Sequence, residues 1–310
     1  MYRSRFNKVI AIGASLGIAL ASLTITSSSA RTHKPFPAKI KTALGVVTIK
    51  SAPKAIISLS PTATEILFAI GAGKQVRAVD DQSNYPAKAP KSKLSAYTPN
   101  LEAIAGMHPD LVVVSNDNSG GVVISTGLAK FRIKTIDQPA ANRLSDTYSQ
   151  IVALGAATGH TKEASKLVIS MKKRIAKAIA SVKNKGKRLT FFHELDNTLY
   201  TATSTTFIGG VYSAFGLKNI ADAAAGADKS GYPQLTAEYV VAANPNLIFL
   251  SDAQYGESAA TVKARPGFSA LKAVQNNGVI SLPADYPSRW GPRIVNFYEF
   301  IAKVIGRVGK

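Results

Sequence analysis

The run His193-Glu194-Leu195-Asp196 is the densest cluster of residues able to do acid–base or metal chemistry. An imidazole and two carboxylates within four residues could hold a metal ion, or pair a general base with an acid. The run follows a predicted strand, and functional sites are common at strand ends. A turn held by local hydrogen bonds is the favoured explanation for the same residue types. The sequence therefore leaves open the hypothesis of an exported metal-dependent enzyme centred on His193, Glu194 and Asp196.

Other signatures of catalysis are absent from the sequence. It contains no G-x-x-x-x-G-K-S/T phosphate loop and no G-x-G-x-x-G after a strand. It has no cysteine, and its four histidines form no H-x-x-x-H pair. We therefore predict a binding protein rather than an enzyme, with no catalytic cofactor and no metal ligands of its own.

The chain is strongly basic, with 38 Lys and Arg against 18 Asp and Glu and a formal net charge of +20. Such a surface favours anionic partners. The basic residues are spread along the chain and form no nucleic-acid motif, so we predict no nucleic-acid partner. A cationic cell-surface adhesin that binds wall polymer stays open as a further alternative.

Residues 1–30 have the order of a secretory signal peptide. A short basic stretch precedes an uncharged, mostly apolar run from Val9 to Thr26, and Ser28-Ser29-Ala30 offers small residues to a signal peptidase. We predict export to the periplasm or the outer face of the cytoplasmic membrane, with cleavage after Ala30. Retention as an anchor is the alternative, because about eighteen apolar residues can just span a bilayer. No lipobox cysteine follows the apolar run.

Short apolar runs alternate with helical segments along the remaining chain. This alternation favours an α/β fold with parallel sheets. The predicted strands are Val46–Ile49, Ala55–Leu59, Val76–Val79, Leu111–Ser115, Ile133–Ile136, Leu189–Leu195, Leu247–Ser251 and Val279–Leu282. Helices are predicted from Ser60-Pro61, from Asn100, and over Phe207–Phe215, Tyr239–Ala243 and Pro292–Val308.

The segment from His160 to Lys183 predicts one long amphipathic helix. Its apolar residues recur at gaps of three and four, whereas its lysines lie mostly off that stripe. About 24 residues at ~1.5 Å each give a rod of ~36 Å, long enough to connect two lobes.

The second half of the chain echoes the first. Residues Glu102–Ser115 align without gaps on Glu238–Ser251, at a constant offset of 136 residues. A repeated helix–Pro–strand unit indicates two similar lobes. We predict a signal peptide over 1–30, an N-terminal α/β lobe over 31–142, a linker with the long connecting helix over 143–186 and a C-terminal α/β lobe over 187–310.

A cleft between two lobes buries a ligand with aromatic faces and a few placed polar groups. Arg289 and Arg293 flank the single tryptophan, and two guanidiniums with an indole suit a flat ligand that carries negative charge. Ordinary packing of the lobes accounts equally for each aromatic residue. The candidate aromatic residues, all in predicted loops, are Tyr85, Tyr97, Tyr232 and Trp290.

Glu102 and Glu238 occupy matching positions at predicted helix starts. Each favours the positive end of its helix dipole, which explains the position without any function. As a pair with one acid per lobe, they could also dock onto a basic partner with two-fold symmetry.

Several segments resemble the class III substrate-binding proteins, which serve ABC importers for cobalamin, haem and ferric siderophores. The start of the family's sequences is similar to one segment of this chain, namely Lys54-Ala-Ile-Ile-Ser-Leu-Ser-Pro-Thr-Ala-Thr-Glu-Ile-Leu-Phe-Ala-Ile-Gly-Ala-Gly73. Asn100-Leu-Glu-Ala-Ile with His108-Pro-Asp-Leu-Val is similar to the next family motif. Tyr232-Pro-Gln-Leu-Thr-Ala-Glu238 and Gly291-Pro-Arg293 resemble the later ones.

The resemblance implies two Rossmann-like lobes joined by a single rigid helix, with a ligand cleft between them and small closure motions. It implies that Glu102 and Glu238 form salt bridges to arginines of the two permease subunits, and that the protein is a monomer. The ligand would be a metal chelate, with a corrinoid such as cobalamin favoured over a ferric siderophore. Trp290 stands where many relatives have proline. Ligand contacts are implied near Ser60, Tyr85, Tyr97, Asn116, Tyr232 and Trp290.

Overall fold

A computed structural model of the chain describes residues 35–116, 120–224 and 230–308. The predicted signal peptide over residues 1–30 lies outside these ranges, so its cleavage stays a prediction. Within them, no helix combines the length and the apolar character needed to cross a bilayer.

The described residues up to Pro139 build a hairpin and a parallel sheet. In the sheet the strand order is β5-β4-β3-β6-β7, and neighbouring strands are parallel. Its central strands are buried on both faces, which is why they read as continuous β-branched runs. The hairpin strands are β1 (Ala38–Thr42) and β2 (Gly45–Ile49), and the sheet strands are β3 (Ile56–Leu59), β4 (Val76–Asp80), β5 (Lys91–Leu94), β6 (Leu111–Asn116) and β7 (Thr135–Pro139).

The helices of this half follow strands of the sheet or lead out of it. The first begins after Ser60, whose hydroxyl caps it, with proline at the first helical position. The helices are α1 (Pro61–Ala69), α2 (Leu101–Gly106), α3 (Gly120–Ala129), α4 (Leu144–Thr158) and α5 (Thr161–Ser181).

The second half repeats this plan with a smaller parallel sheet of order β9-β8-β10-β11 in the described residues. Its strands are β8 (Thr190–Glu194), β9 (Lys218–Asn219), β10 (Leu247–Leu250) and β11 (Val279–Ser281). Its helices are α6 (Phe207–Ser213), α7 (Ala221–Ala224), α8 (Ala237–Ala243), α9 (Ala259–Ala264), α10 (Lys272–Gln275) and α11 (Ile294–Val308).

The internal repeat predicted from the sequence is confirmed by the topology. Strands β4-β3-β6-β7 of one sheet correspond in order and direction to β9-β8-β10-β11 of the other. The aligned segments form α2 with β6 and α8 with β10. Asn100 caps α2 and Thr236 caps α8, each by accepting a backbone N–H three residues on. The offset of 136 residues therefore extends to the two capping residues.

One hydrophobic cluster runs through both halves. It includes Ile56 of the first sheet, Ala164 and Met171 of α5, Phe249 of the second sheet and Ile301 of α11. Helix α5 packs between α4 and α11, and Arg174 of α5 pairs with Glu299 of α11 at 2.7 Å. Smaller clusters lie on the other face of each sheet. The two sheets therefore share one core along the long helix.

The structure contains elements that the sequence analysis did not predict. Residues Ala38–Thr42, for which no strand was predicted, form β1 and pair with β2. Helix α3 was not predicted, and the stretch before the long helix holds a full helix, α4. The terminal helix begins at Ile294, two residues later than predicted, because Pro292 and Arg293 form a turn.

Candidate ligand-binding cleft

A cleft of about 660 Å³ is lined by residues of both halves. From the first half it receives residues at the carboxyl ends of parallel strands, including Ser60 after β3, Asp80 at the end of β4 and Ser115 in β6. The second half contributes Thr205–Ile208 at the start of α6 and Pro287–Trp290 before α11. Loops at the carboxyl ends of parallel strands are where α/β proteins place ligands.

Two helix N-termini reach the cleft from opposite halves. Ser60 caps α1 by accepting the Ala63 N–H at 3.2 Å, and Thr206 caps α6 by accepting the Gly209 N–H at 3.0 Å. Both capping residues line the cleft. Each hydroxyl is held by its own helix, and the first turns present partial positive charge to the cleft.

Four aromatic side chains, those of Tyr97, Phe207, Tyr232 and Trp290, line the cleft with part of their surface free. Tyr97 is 71% exposed and Tyr232 is 41% exposed, so both rings retain a face for a ligand. Trp290 is half-buried, and its indole Nε1 is buried with no hydrogen-bond partner among the described residues. These rings can stack on a flat ligand, and the indole N–H can donate to one.

The predicted ligand residues divide into two groups. Tyr85, Asn116 and Arg293 are outside the cleft lining. Arg293 pairs with buried Glu65 at 2.5 Å and with Asp285 at 2.9 Å, and its guanidinium lies 4.4 Å from the centroid of the Tyr85 ring. The residues that do line the cleft are Ser60, Tyr97, Tyr232, Arg289 and Trp290.

Arg293 and Tyr85 therefore belong to an ion-pair cluster beside the cleft. Asn116 packs closely against the start of α3. A Cβ added at Gly121 would lie 2.8 Å from the Asn116 Cβ. Its Oδ1 is buried without a partner in the described residues.

The cleft is close to electrically balanced. Among the described residues that line it, Asp80 and Arg289 carry the formal charges. Arg289 lies 3.8 Å from Asp285, which partly offsets its charge. Asp80 is 2% exposed, and burial raises its pKa to about 6, although the Ser83 hydroxyl opposes this by donating to it at 2.5 Å. The excess positive charge of the chain is therefore not concentrated in the cleft.

The sequence analysis missed Asp80, Asn142 and the Thr205–Thr206 pair as cleft residues. Asp80 had a detectable signal, because it is the first polar residue after a predicted apolar strand. The threonines also follow a strand, but the intervening loop of about ten residues separates them from it. Only the packing of α6 against the shared core brings them to the cleft.

The His193-Glu194-Asp196 run does not form a joint site. His193 is fully buried between the Tyr212 hydroxyl at 2.8 Å and the Ser251 hydroxyl at 3.0 Å, and burial lowers its pKa to about 3. Glu194 faces Arg265 through two contacts of 2.7 Å.

Asp196 instead accepts the backbone N–H of Thr198 at 2.9 Å, as a local turn requires. Within the described ranges, no three His, Cys, Asp or Glu side chains are grouped to hold a metal ion. Each member of the run therefore has a separate structural partner.

Glu102 and Glu238 are exposed in the first turns of α2 and α8. Hydrogen bonds from its own backbone N–H and from the Thr236 side chain lower the pKa of Glu238. The two acids occupy equivalent positions in the repeated α–β unit, as their offset predicted.

Comparison with known proteins identifies the family. The family described as "Periplasmic binding protein" matches residues 56–286, well over half of the chain. An uncharacterised ABC transporter substrate-binding lipoprotein of Bacillus subtilis is 32% identical over 267 residues, which cover 84% of this chain and 82% of the relative.

Solved structures agree with this assignment. A possible iron-binding periplasmic solute-binding protein of Staphylococcus epidermidis is 28% identical with a TM-score of 0.71, covering 82% of this chain and 99% of the other. The periplasmic vitamin B12 binding protein BtuF of Vibrio cholerae is 25% identical with a TM-score of 0.68, covering 83% and 98%. The chain therefore belongs to the periplasmic binding protein family, as a class III substrate-binding protein that acts outside the cytoplasm and is not an enzyme.

Proposed function

We propose that the protein captures a corrinoid-type metal chelate and delivers it to an ABC importer. The charge balance of the cleft is the observation that carries this proposal, because the described lining holds one buried carboxylate and one partly offset arginine. A corrinoid is a flat macrocycle whose rim carries neutral amides. Haem carries two carboxylates and many ferric siderophores are anionic, and both would favour a more cationic cleft.

The polar groups of the cleft also fit an amide rim. Asn142, Thr205 and Ser288 present amide and hydroxyl groups that can both donate to and accept from a carboxamide. Tyr97 and Tyr232 offer aromatic faces to the macrocycle. The similar vitamin B12 binding protein of Vibrio cholerae supports the same ligand class.

A ferric siderophore is the second candidate. Arg289 and the Trp290 N–H, which has no hydrogen-bond partner among the described residues, could both bind an acceptor-rich, anionic ligand. The similar Staphylococcus epidermidis protein is described as possibly iron-binding. This alternative makes a different prediction in the same titration.

Binding can be measured through Trp290, the single tryptophan of the sequence, because it lines the cleft. We expect cyanocobalamin to quench its fluorescence saturably, and to bind at least about tenfold more tightly than haem or a ferric siderophore, with matching calorimetric heats. Tyr232→Ala should weaken binding by about tenfold through loss of stacking. Tyr255→Ala is the matched control, because Tyr255 is 83% exposed and outside the cleft. Tighter binding of a ferric siderophore would favour the second candidate, and no heat with any chelate would refute both.

We further propose that Glu102 and Glu238 dock onto the two permease subunits as a matched pair, one from each half. Replacing both with alanine should leave chelate affinity unchanged and reduce uptake to background in cells that contain the importer. Glu163→Ala is a suitable control, because Glu163 is also an exposed acid in the first turn of a helix, α5. Lost affinity in the double variant, or equal loss of uptake in the control, would contradict the docking role.

A further inference from the structure

A second groove, called here the α4 groove, lies between β1, the end of β7, α4 and α5. It encloses about 640 Å³ and shares no residue with the ligand cleft. Tyr148, Val152 and Ala156 of α4 and Val168 of α5 supply apolar surface, and Val152 is 44% exposed. The walls are therefore suited to an apolar chain or ring.

Two buried amides line this groove, and neither has its full set of hydrogen bonds. Gln138 is 3% exposed and Gln150 is 8% exposed. The Gln150 Nε2 donates to the Pro139 carbonyl at 2.7 Å, and the Gln138 Nε2 donates to the Gln150 carbonyl at 3.4 Å. The Oε1 atoms of both amides are buried with no partner among the described residues. Buried acceptors of this kind favour a ligand that brings hydroxyl or amide donors.

Three lysines line the same groove, namely Lys39 and Lys41 of β1 and Lys172 of α5. The Lys172 Nζ lies 5.1 Å from the centroid of the Tyr148 ring, so its charge is directed over the groove wall. None of the three forms an ion pair within the described part of the chain. Asp137, the carboxylate in the lining, accepts the backbone N–H of Ala43 at 2.9 Å. The groove is therefore cationic.

We propose that the α4 groove binds the headgroup of an anionic phospholipid that carries hydroxyl groups, such as phosphatidylglycerol, at a membrane surface. The phosphate meets the three lysines, a headgroup hydroxyl donates to the Gln138 or Gln150 Oε1, and the start of an acyl chain lies along Val152 and Ala156. The excess of basic over acidic residues along the chain draws the protein towards an anionic bilayer, and the groove then selects the headgroup.

Two lipids of equal charge separate headgroup recognition from general attraction. Phosphatidylglycerol and phosphatidylmethanol both carry one negative charge, but only phosphatidylglycerol has headgroup hydroxyls. In flotation with vesicles that contain either lipid in phosphatidylcholine, we expect about threefold to tenfold tighter binding to phosphatidylglycerol. Replacing Gln138 and Gln150 together with methionine keeps the side-chain volumes and removes both acceptors, so it should abolish this preference while vesicle binding persists.

The lysines are tested by replacing Lys39, Lys41 and Lys172 together with alanine. The control replaces Lys218, Lys263 and Lys272, which are exposed, lie outside the groove and remove the same charge. We expect at least about a fivefold loss of binding for the groove variant and less than a twofold loss for the control. Equal losses, equal binding of the two lipids by the native chain, or tight calorimetric binding of soluble glycerol 3-phosphate would each overturn the proposal.

Discussion

At the residue scale, Asp80 is a buried carboxylate, and burial disfavours its ionised form. Its Oδ1 accepts from Ser83, and the Thr64 hydroxyl links Ser83 to Ser58 through contacts of 2.8 and 2.9 Å. All four residues are buried. This chain of hydroxyls stabilises the ionised carboxylate only in part, because burial still raises its pKa from 3.8 to about 6.

The raised pKa of Asp80 makes a signed prediction for stability. The protonated group favours folding fully below pH 3.8, and this contribution is lost as the pH rises through about 6. Asp80→Asn removes the ionisation, so it should raise the free energy of unfolding by about 3 kcal/mol at pH 7.5 and by less than half of that at pH 4.5. Urea unfolding at both pH values measures this difference.

Glu163→Gln is the control for that experiment, because Glu163 is an exposed acid in the first turn of α5 and does not contribute to the pKa of Asp80. It should change stability little, and equally at the two pH values. A gain for Asp80→Asn that is the same at both pH values would mean that ionisation of Asp80 is not the cause.

The sequence indicated which residue types could contact a ligand, but not which other residues each of their side chains contacts. Arg289 and Arg293 stand in one short motif and looked equivalent. Arg293 meets Glu65, which is 228 residues away in sequence, and is thereby held beside the cleft rather than in its lining. Tyr97, Tyr232 and Trp290 line the cleft, whereas Tyr85 stacks on Arg293. Only the tertiary fold distinguishes these cases.

Helix α6, whose start lines the cleft, contains two adjacent glycines that differ in the space around them. A Cβ at Gly209 would lie 2.0 Å from the Thr203 carbonyl oxygen, so the loop before α6 requires glycine there. A Cβ at Gly210 would meet nothing within 4 Å. The Gly209 N–H also donates to the Thr206 hydroxyl at 3.0 Å, which ties this cleft residue to the first turn of the helix.

The two glycines therefore predict substitutions of opposite sign. Gly209→Ala should lower the free energy of unfolding by about 1–3 kcal/mol, because the backbone of Thr203 must move. Gly210→Ala should raise it by about 0.5–1 kcal/mol, since alanine loses less conformational entropy in a helix. Chelate affinity should fall for Gly209→Ala alone, because that shift displaces the cleft threonines. Equal effects of the two substitutions on stability would contradict the packing described for α6.

At the element scale, a helix could be predicted from the sequence where its apolar residues recur regularly, and was missed where they do not. The long helix was predicted within two residues at each end, because its apolar stripe is regular and its other faces are charged. Helix α4 mixes buried threonine, glutamine and glycine with its apolar residues, so no stripe stood out. Strand β1 has two lysines and gains its place by pairing with β2, which is a contact that no single segment encodes.

The whole molecule is organised around the core that both sheets share. Helix α5 packs on α4 and α11, and buried residues of all three helices belong to one cluster with both sheets. Neither sheet could keep its inner face out of water without these helices. The repeat was visible in the sequence, but the shared core was not, because equivalent segments look self-sufficient when they are read separately.

The shared core predicts a single cooperative unfolding transition. Trp290 fluorescence reports on the cleft, whereas far-ultraviolet circular dichroism reports on helices throughout the chain. In urea the two signals should give the same midpoint and the same dependence on denaturant concentration. Two separated transitions would show that the halves unfold independently and that the shared core contributes little to stability.

A core that is shared by both sheets also restricts how far the structure of the protein can differ between its empty and its loaded form. Helices α2 and α8, which carry Glu102 and Glu238, pack in the two smaller clusters, on the faces of the sheets opposite to that core. We therefore expect the distance between the two acids to be nearly the same in the empty and the loaded protein. Both forms would then compete for the same permease with similar affinity. The transport rate would fall when empty protein is in excess, and the signal that cargo has arrived must come from the cargo itself or from the loops at the cleft.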